Sequence, residues 1–353
     1  MSEFLAPDLQ KLAAYVPGEQ PQDKRYIKLN TNENPYYPSE RAVKAITEAE
    51  VKNLRLYSDP DSKTLIAAIA KNYGVSEKNV VVGNGSDEIL AFSFRAFGQN
   101  GACFPDVTYG FYKVFADMFG VKKEILPLTA EFKIDASSYF NKNKLVVLAN
   151  PNAQTGIALS LSDIEKIAAN NEKSVVLVDE AYVDFGGESA VGLTKKYKNL
   201  VVVQTFSKSR SLAGARVGFA VADEALISDL NRVRNSFNPY NVNRLSAIAA
   251  SEAMKDKTYF EESVKKVVAV RAYTKAELEK RGFCVLDSRA NFLMAKTDKI
   301  GGEELYLSLK EKGVLVRHFK DERIKNFVRV SIGTKEDMEI FLKETDEILR
   351  RRS

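Results

Sequence analysis

The chain has 353 residues, of which 45% are hydrophobic and 28% charged, and its formal net charge is +5. This length and composition are typical of a globular protein with one large α/β domain and a smaller one. A single histidine excludes histidine-centred triads and multi-histidine metal sites, so we expect no metal, and the sequence has no nucleic-acid-binding motif.

The sequence also bears on the compartment. The two cysteines, Cys103 and Cys284, form no disulfide framework, which favours a reducing environment. The N-terminal sequence MSEFLAPDLQ lacks the apolar core of a signal peptide, and no apolar run approaches the roughly 18 residues of a membrane-spanning helix. We therefore expect a cytoplasmic protein without membrane or nucleic-acid partners.

The first part of the chain predicts an arm and a turn that suits an anion. Proline and asparagine punctuate residues 1–35, which is typical of an irregular segment lying over a surface. Helices are predicted over 40–51 and 62–73. The sequence VVVGNGSDEIL, which begins at Val80, then predicts a strand, a glycine turn and a helix that opens at Ser86. It matches neither a dinucleotide fingerprint nor a Walker loop, but the backbone N–H groups at such a helix start suit a phosphate.

Short apolar strands alternate with helices as far as Asp223, which predicts a mostly parallel sheet with helices on both faces. A helical stretch continues to Arg281 with a break at 235–241. Short strands and an amphipathic helix over 335–352 then predict a smaller α+β domain. We place three units along the chain: an arm at 1–35, a large coenzyme-binding domain at 36–240, and a small domain at 241–353 with an interdomain helix from about 223.

Two buried strands are each followed by a charged residue. The run 175–178 precedes Asp179, and the run 201–203 lies shortly before Lys208. In α/β sheets, ligands bind where the carboxyl ends of such strands meet. A desolvated lysine beside a second cation can attack a carbonyl near neutral pH, while Arg216 and nearby hydroxyls suit a phosphate. An aldehyde that carries a phosphate satisfies both, and pyridoxal phosphate would also give Asp179 a partner in its ring nitrogen.

The motifs NPNAQTG, DEAY and TFSKSRSLAGARVGF resemble those of fold-type I pyridoxal-phosphate aminotransferases. With YVPGEQ, LNTNENPY, RLYSDP, GNGSDE, VLVRHF and FVRVSIGT, the whole chain is similar to the histidinol-phosphate aminotransferase family of histidine biosynthesis. The resemblance implies a fold-type I α/β architecture and a homodimer with shared active sites. It also implies interconversion of L-histidinol phosphate and 2-oxoglutarate with imidazole acetol phosphate and L-glutamate.

The resemblance further implies roles for individual residues. Lys208 would form the Schiff base and move the substrate proton, Tyr182 would bond the ring 3-oxygen, and Tyr109 would stack on the ring. The complete set of implied coenzyme contacts is Gly85, Ser86, Asp87, Tyr109, Asn152, Asp179, Tyr182, Thr205, Ser207, Lys208, Arg216 and, reaching the partner subunit's phosphate, Tyr57. The substrate contacts predicted are Arg329, Arg317, Tyr15 and Asn34.

One motif departs from the family pattern. Where the family motif ends Asn-Pro-Thr-Gly, this chain reads Asn152, Ala153, Gln154, Thr155 and Gly156. We predict that Asn152 bonds the ring 3-oxygen in place of the missing asparagine. A cis bond before Gln154 would cost about 3 kcal/mol, so we expect that bond to be trans or held by the site.

Other activities stay open at this point. An aminotransferase for aromatic or other amino acids and a threonine-phosphate decarboxylase share these motifs, and substrate choice depends on loops and the arm. A catalytically silent coenzyme-binding regulator is disfavoured because no helix-turn-helix precedes residue 30. A nicotinamide-dependent dehydrogenase is disfavoured because the dinucleotide fingerprint is missing.

Overall fold

The computed structural model describes residues 4–10 and 12–351. Its strands, in chain order, are β1 Ile27–Lys28, β2 Val80–Asn84, β3 Ala102–Pro105, β4 Lys123–Leu126, β5 Leu145–Ala149, β6 Val176–Asp179, β7 Leu200–Thr205, β8 Val217–Ala222, β9 Cys284–Val285, β10 Phe292–Lys296, β11 Val314–Leu315, β12 Arg317–His318 and β13 Val328–Ser331. Its helices are α1 Glu40–Lys44, α2 Glu48–Lys52, α3 Lys63–Tyr73, α4 Ser86–Phe97, α5 Phe111–Met118, α6 Leu161–Ala169, α7 Glu224–Phe237, α8 Arg244–Lys255, α9 Lys257–Lys280, α10 Gly302–Glu311 and α11 Lys335–Arg350. Within the described ranges, none of the helices has the length and apolar character that crossing a membrane requires.

A seven-stranded sheet forms the centre of the fold, in the order β2-β8-β7-β6-β5-β3-β4. The strands from β7 to β4 run parallel to one another, and β8 is antiparallel to both β2 and β7. Along β7, Val202 packs in a core with α3, α6 and α8, while Val201 and Val203 pack in a core with α4, α5 and α7. The predicted mostly parallel sheet with helices on both faces is therefore confirmed.

A second sheet is antiparallel and has the order β12-β13-β10-β9. Its core side is covered by α9, α10 and α11, and α11 begins with a capping box between Thr334 and Asp337. The arm is tied to this part of the molecule because β1 pairs in parallel with β11. The unit boundaries at 35 and 240 stay predictions.

Some predicted helix boundaries were wrong. The helix predicted over 40–51 is two helices, because Thr47 accepts a hydrogen bond from the Glu50 backbone and starts α2. The long helical stretch is broken not only at the predicted site between α7 and α8 but also at Asp256, which caps α9 through the Tyr259 backbone. Arg352, to which we extended the last helix, lies outside the described residues, as do 1–3 and 11 of the arm.

Two glycines allow α4 to start at the edge of the sheet. Gly85, just before Ser86, has a φ of +79°, a left-handed conformation that costs glycine little. Gly218 on β8 lies under the same turn, and a Cβ there would be 2.3 Å from the Ser86 backbone nitrogen. The turn can therefore pack directly on β8 only because position 218 carries no side chain.

We predict that Gly218→Ala destabilises the protein. Overpacking of this kind costs about 1–3 kcal/mol, which lowers the melting temperature of a chain of this size by a few degrees. The matched control is Gly192→Ala, since a Cβ at Gly192 would meet no atom within 4 Å. Thermal unfolding of both variants checks this prediction, and equal melting temperatures would contradict the role assigned to Gly218.

Candidate active site

A cavity of about 770 Å³ lies where β6 and β7 end and α4 begins, and the arm and the second sheet complete its wall. It brings together most of the residues that the sequence predicted. The predicted residues that line it are Tyr15, Ser86, Asp87, Tyr109, Asp179, Tyr182, Thr205, Ser207, Lys208, Arg216, Arg317 and Arg329.

Asp179 is a buried carboxylate at the end of β6, with only 4% of its surface exposed. Tyr112 donates a hydrogen bond to its Oδ2 (2.8 Å), and the Ala181 backbone N–H donates to Oδ1 (3.2 Å). Burial raises the pKa of Asp179 to about 6, while the Tyr112 hydrogen bond opposes that shift. The carboxylate therefore stays ionised at neutral pH and can attract a ligand cation.

Lys208 follows β7 and faces the same cavity. Its Nζ donates to the Thr31 carbonyl oxygen (3.2 Å) and lies 5.7 Å from the ring centre of Tyr182. Burial, reinforced by the positive charge of Arg329, lowers the pKa of Lys208 to about 8. A substantial fraction of this amine is uncharged at mildly alkaline pH, which is what a nucleophile or a proton carrier requires.

One end of the cavity is built to hold an anion. Asp87, in the first turn of α4, accepts hydrogen bonds from Tyr109 (2.8 Å) and from Arg216 Nη2 (3.0 Å), so it fixes both side chains. Arg216 has a φ of +52°, a strained conformation for an arginine. Thr205 and Ser207 are hydrogen-bonded to each other (3.0 Å) in the same wall.

The opposite end of the cavity carries two arginines from the second sheet. Arg329 donates to the Ala153 carbonyl (3.0 Å) and to Gln154 Oε1 (3.2 Å). Arg317 donates to the backbone carbonyl oxygens of residues 16 and 17, which holds the arm across the cavity. The Tyr15 ring stacks on Phe111 with ring centres 4.2 Å apart. These groups form a positively charged end that suits a carboxylate or a phosphate.

Four predicted residues are not in the cavity wall. Asn152 is buried and does not line the cavity: its Nδ2 donates to the Val107 carbonyl (2.9 Å), and its Oδ1 accepts from the backbone of 154 and 155 in its own turn. Asn34 bonds instead to the Ser209 carbonyl (3.3 Å) and to the Tyr36 backbone. The geometry therefore supports a ligand contact for neither asparagine.

Gly85 and Tyr57 also lie outside the wall of this cavity. A Cβ on Gly85 would be 2.6 Å from Arg216 Nη2, so this glycine makes room for the arginine rather than lining the cavity. Tyr57 is 79% exposed and stacks on Tyr240 with ring centres 4.5 Å apart. Its predicted contact with a partner subunit stays a prediction.

Three residues of the site were not predicted from the sequence. Tyr112 holds Asp179 from α5, Gln154 bonds Arg329, and Asn32 of the arm lines the cavity and donates to Tyr182. For Asn32, the asparagine-rich composition of LNTNENPY was the available clue. The Ala153–Gln154 bond is trans, and the cis bond in this motif is Asn150–Pro151.

These residues fit pyridoxal phosphate, the coenzyme that the resemblance implies. The cavity offers an amine at Lys208, a buried carboxylate at Asp179 and, beside Arg216, the N-terminus of α4 for a phosphate. In addition, Asn30 Oδ1 and Thr31 Oγ1, on two wall residues, are buried without a hydrogen-bond partner among the described residues. The cavity therefore has the charges and the polar groups to bind this coenzyme together with a substrate.

Comparison with known proteins agrees with this geometry. Residues 24–344 match the family described as aminotransferase class I and II. The chain belongs to the class I and II aminotransferases. It is 49% identical, over 99% of its length and 100% of the relative's, to a histidinol-phosphate aminotransferase of Brachyspira hyodysenteriae. It is 48% identical, with the same coverage, to a histidinol-phosphate aminotransferase of Clostridium acetobutylicum.

A solved structure confirms the fold of this aminotransferase. The histidinol-phosphate aminotransferase of Sinorhizobium meliloti, solved in complex with pyridoxal-5'-phosphate, superposes with a TM-score of 0.90. The match covers 100% of this chain and 99% of the other at 21% sequence identity. The predicted fold-type I architecture is therefore correct.

We predict that Lys208→Met stabilises the ligand-free aminotransferase at pH 7. Burial lowers the pKa of Lys208 from 10.5 to about 8, so between these values the unfolded chain binds more protons and stability rises with pH. Below pH 8 the buried ammonium costs at most about 3 kcal/mol. The gain in the free energy of unfolding should therefore shrink as pH approaches 10.5, as measured by urea unfolding at several pH values.

Lys71→Met is the control for this measurement, because Lys71 is exposed on α3. We expect its free energy of unfolding to equal that of the wild type throughout the pH range. A gain in Lys208→Met that stays constant with pH would show that the substitution acts through packing and not through the buried charge.

Proposed function

We propose that this chain is a pyridoxal-phosphate-dependent aminotransferase that converts L-histidinol phosphate and 2-oxoglutarate to imidazole acetol phosphate and L-glutamate, and the reverse. The observation that carries the proposal is the convergence of Lys208, Asp179 and Arg216 on one cavity whose other end carries Arg329 and Arg317. The chain is also nearly half identical, end to end, to proteins named for this activity.

Lys208 and Asp179 would act on different parts of the coenzyme, Lys208 at its aldehyde and Asp179 at its ring nitrogen. When bound, pyridoxal phosphate supplies an aldehyde and a ring that withdraws electrons from the substrate Cα. Lys208 would hold this aldehyde through its Nζ, and the same amine, once free, would be the group that moves the substrate proton. The Asp179 carboxylate, held in place by Tyr112 and the Ala181 N–H, would keep the ring nitrogen protonated.

The two arginines let one cavity serve two substrates. Glutamate and histidinol phosphate both bear an anionic group distant from the reacting amine, a carboxylate in one and a phosphate in the other. Arg329 and Arg317 can bind either group by charge-assisted hydrogen bonds. Each substrate is then oriented with its Cα toward Lys208, so the amino group can pass from one substrate to the other in two half-reactions.

The assembly that we propose is a homodimer in which Tyr57 of each subunit completes the phosphate site of the other. Supporting this, the Tyr57 and Tyr240 rings are exposed at the surface and absent from the wall of their own cavity. A paired aromatic surface of this kind suits burial against a second copy. A cytoplasmic location also stays our prediction.

The decisive experiment is an absorbance spectrum of the purified protein, with and without L-histidinol phosphate, beside Lys208→Ala. We expect a visible coenzyme band that bleaches on addition of histidinol phosphate and a variant that does not turn over. Bleaching only by aromatic amino acids would show that the chain is a related aminotransferase with a different substrate. Release of CO₂ from threonine phosphate would show that it is a decarboxylase. No band after addition of pyridoxal phosphate would refute the coenzyme.

We predict that two inactive variants restore each other if the sites are shared. Lys208→Ala and Tyr57→Ala, refolded together, form mixed dimers in which one site has both Lys208 and the partner's Tyr57. Random pairing makes about a quarter of all sites complete, so activity should rise well above that of either variant alone. Refolding Lys208→Ala with Asp179→Ala is the control: both residues line the same cavity of one subunit, so every site in every dimer carries one of the two substitutions and no complete site forms. Absence of complementation in the first mixture would contradict the shared site.

A further inference from the structure

Asn32 occupies an unusual position for a residue of the arm. It is 1% exposed and has a φ of +57°, a left-handed conformation that asparagine tolerates better than most residues. Its backbone carbonyl accepts a hydrogen bond from Asn291 Nδ2 (3.0 Å), and its Nδ2 donates to Tyr182 Oη (3.1 Å). Strain of this kind persists only where the surroundings hold it, so Asn32 is fixed in place beside Tyr182.

Ser331 determines which way the Asn32 amide points. The Asn32 backbone N–H donates to Ser331 Oγ (2.8 Å), which leaves the hydroxyl proton of Ser331 for Asn32 Oδ1, also 2.8 Å away. Since Oδ1 is occupied in this way, the Nδ2 hydrogens face Tyr182. Asn32 is therefore the donor and the oxygen of Tyr182 is the acceptor.

The direction of this hydrogen bond determines where the hydroxyl proton of Tyr182 can point. A phenol that accepts from Asn32 must donate its own proton elsewhere, and Tyr182 Oη has no second hydrogen-bond partner among the described residues. Tyr182 lines the cavity, so a ligand there is the acceptor within reach. Ala153, at the position where the family pattern has an asparagine, has no side-chain donor to share this task.

We infer that Asn32 is a positioning residue that turns the hydroxyl proton of Tyr182 toward the ring oxygen of the coenzyme. The inference rests on the proposed function. It gives the arm a chemical task, since Asn32 compensates for the donor that is missing at Ala153. It also links the two ends of the cavity, because Ser331 lies on β13 two residues after Arg329.

The test is the pH at which the visible absorption of the bound coenzyme titrates. Donation by Tyr182 favours the more negative form of the chromophore, so loss of that donation raises the midpoint. We expect Asn32→Ala to raise this midpoint by about 0.5 to 1 pH unit, a shift that corresponds to the net contribution of about one hydrogen bond. Asn32→Asp, which has the same shape but accepts the Tyr182 proton, should raise it as well.

A double-mutant cycle with Tyr182→Phe separates positioning from structure. Without the hydroxyl, Asn32→Ala has no proton to misdirect, so its further effect on the midpoint should be less than about 0.2 unit. Ser331→Ala, which releases the amide of Asn32, provides a second cycle should Asn32→Ala fail to fold. Asn171→Ala removes another buried asparagine, one that does not line the cavity, and should leave the midpoint unchanged.

Each outcome decides the inference. An unchanged midpoint in Asn32→Ala overturns the inference, and so does a rise in the midpoint that persists in full in the Tyr182→Phe background. In both cases a coenzyme band in the wild type still supports the proposed function. A wild-type protein that shows no titrating band refutes both. A rise that disappears with the Tyr182 hydroxyl, together with an unchanged Asn171→Ala, establishes that Asn32 acts through Tyr182.

Discussion

The burial of two opposite charges at one edge of a sheet is the constraint on which this structure depends. Asp179 ends β6 and Lys208 follows the adjacent parallel strand β7, and each has a pKa shifted toward neutrality by loss of water. Buried charges need partners. The surrounding residues supply only part of what is needed, Tyr112 for the carboxylate and the Thr31 carbonyl for the amine, so a ligand with complementary groups gains from both.

The cavity is divided by charge into regions with separate tasks. At one end Arg216, fixed by Asp87, faces the start of α4, and at the other Arg329 and Arg317 project from the second sheet. If the coenzyme phosphate binds beside Arg216 and the anionic group of the substrate beside Arg329 and Arg317, as we propose, the two anions occupy separate parts of the cavity. Under the proposed function, this separation would let two different amino donors use the same arginines without displacing the coenzyme.

Sequence reasoning succeeded where chemistry is local to a strand end or a turn. The apolar runs before Asp179 and Lys208 and the glycine turn before Ser86 placed these residues correctly, because parallel strands deliver their carboxyl ends to one edge. Asn152 does not line the cavity, because its Oδ1 accepts from its own turn and its Nδ2 donates to the Val107 carbonyl, and the sequence did not indicate Tyr112 and Asn32. Their contacts span 67 and 150 residues along the chain, and no short motif encodes such separations.

The arm shows how function can depend on a segment with little regular structure. It is anchored where β1 pairs with β11, where Arg317 bonds the carbonyls of 16 and 17, and where Asn32 meets Ser331. Arg317 and Ser331 belong to the second sheet, and β11 directly precedes its strand β12. Residues between these anchors line the cavity that Lys208 and Tyr182 also line. The strand β13 therefore holds Arg329, which bonds the arm at the Asn30 carbonyl, and Ser331, which holds Asn32 against Tyr182, so one strand supports both the positively charged part of the cavity and the Tyr182 contact.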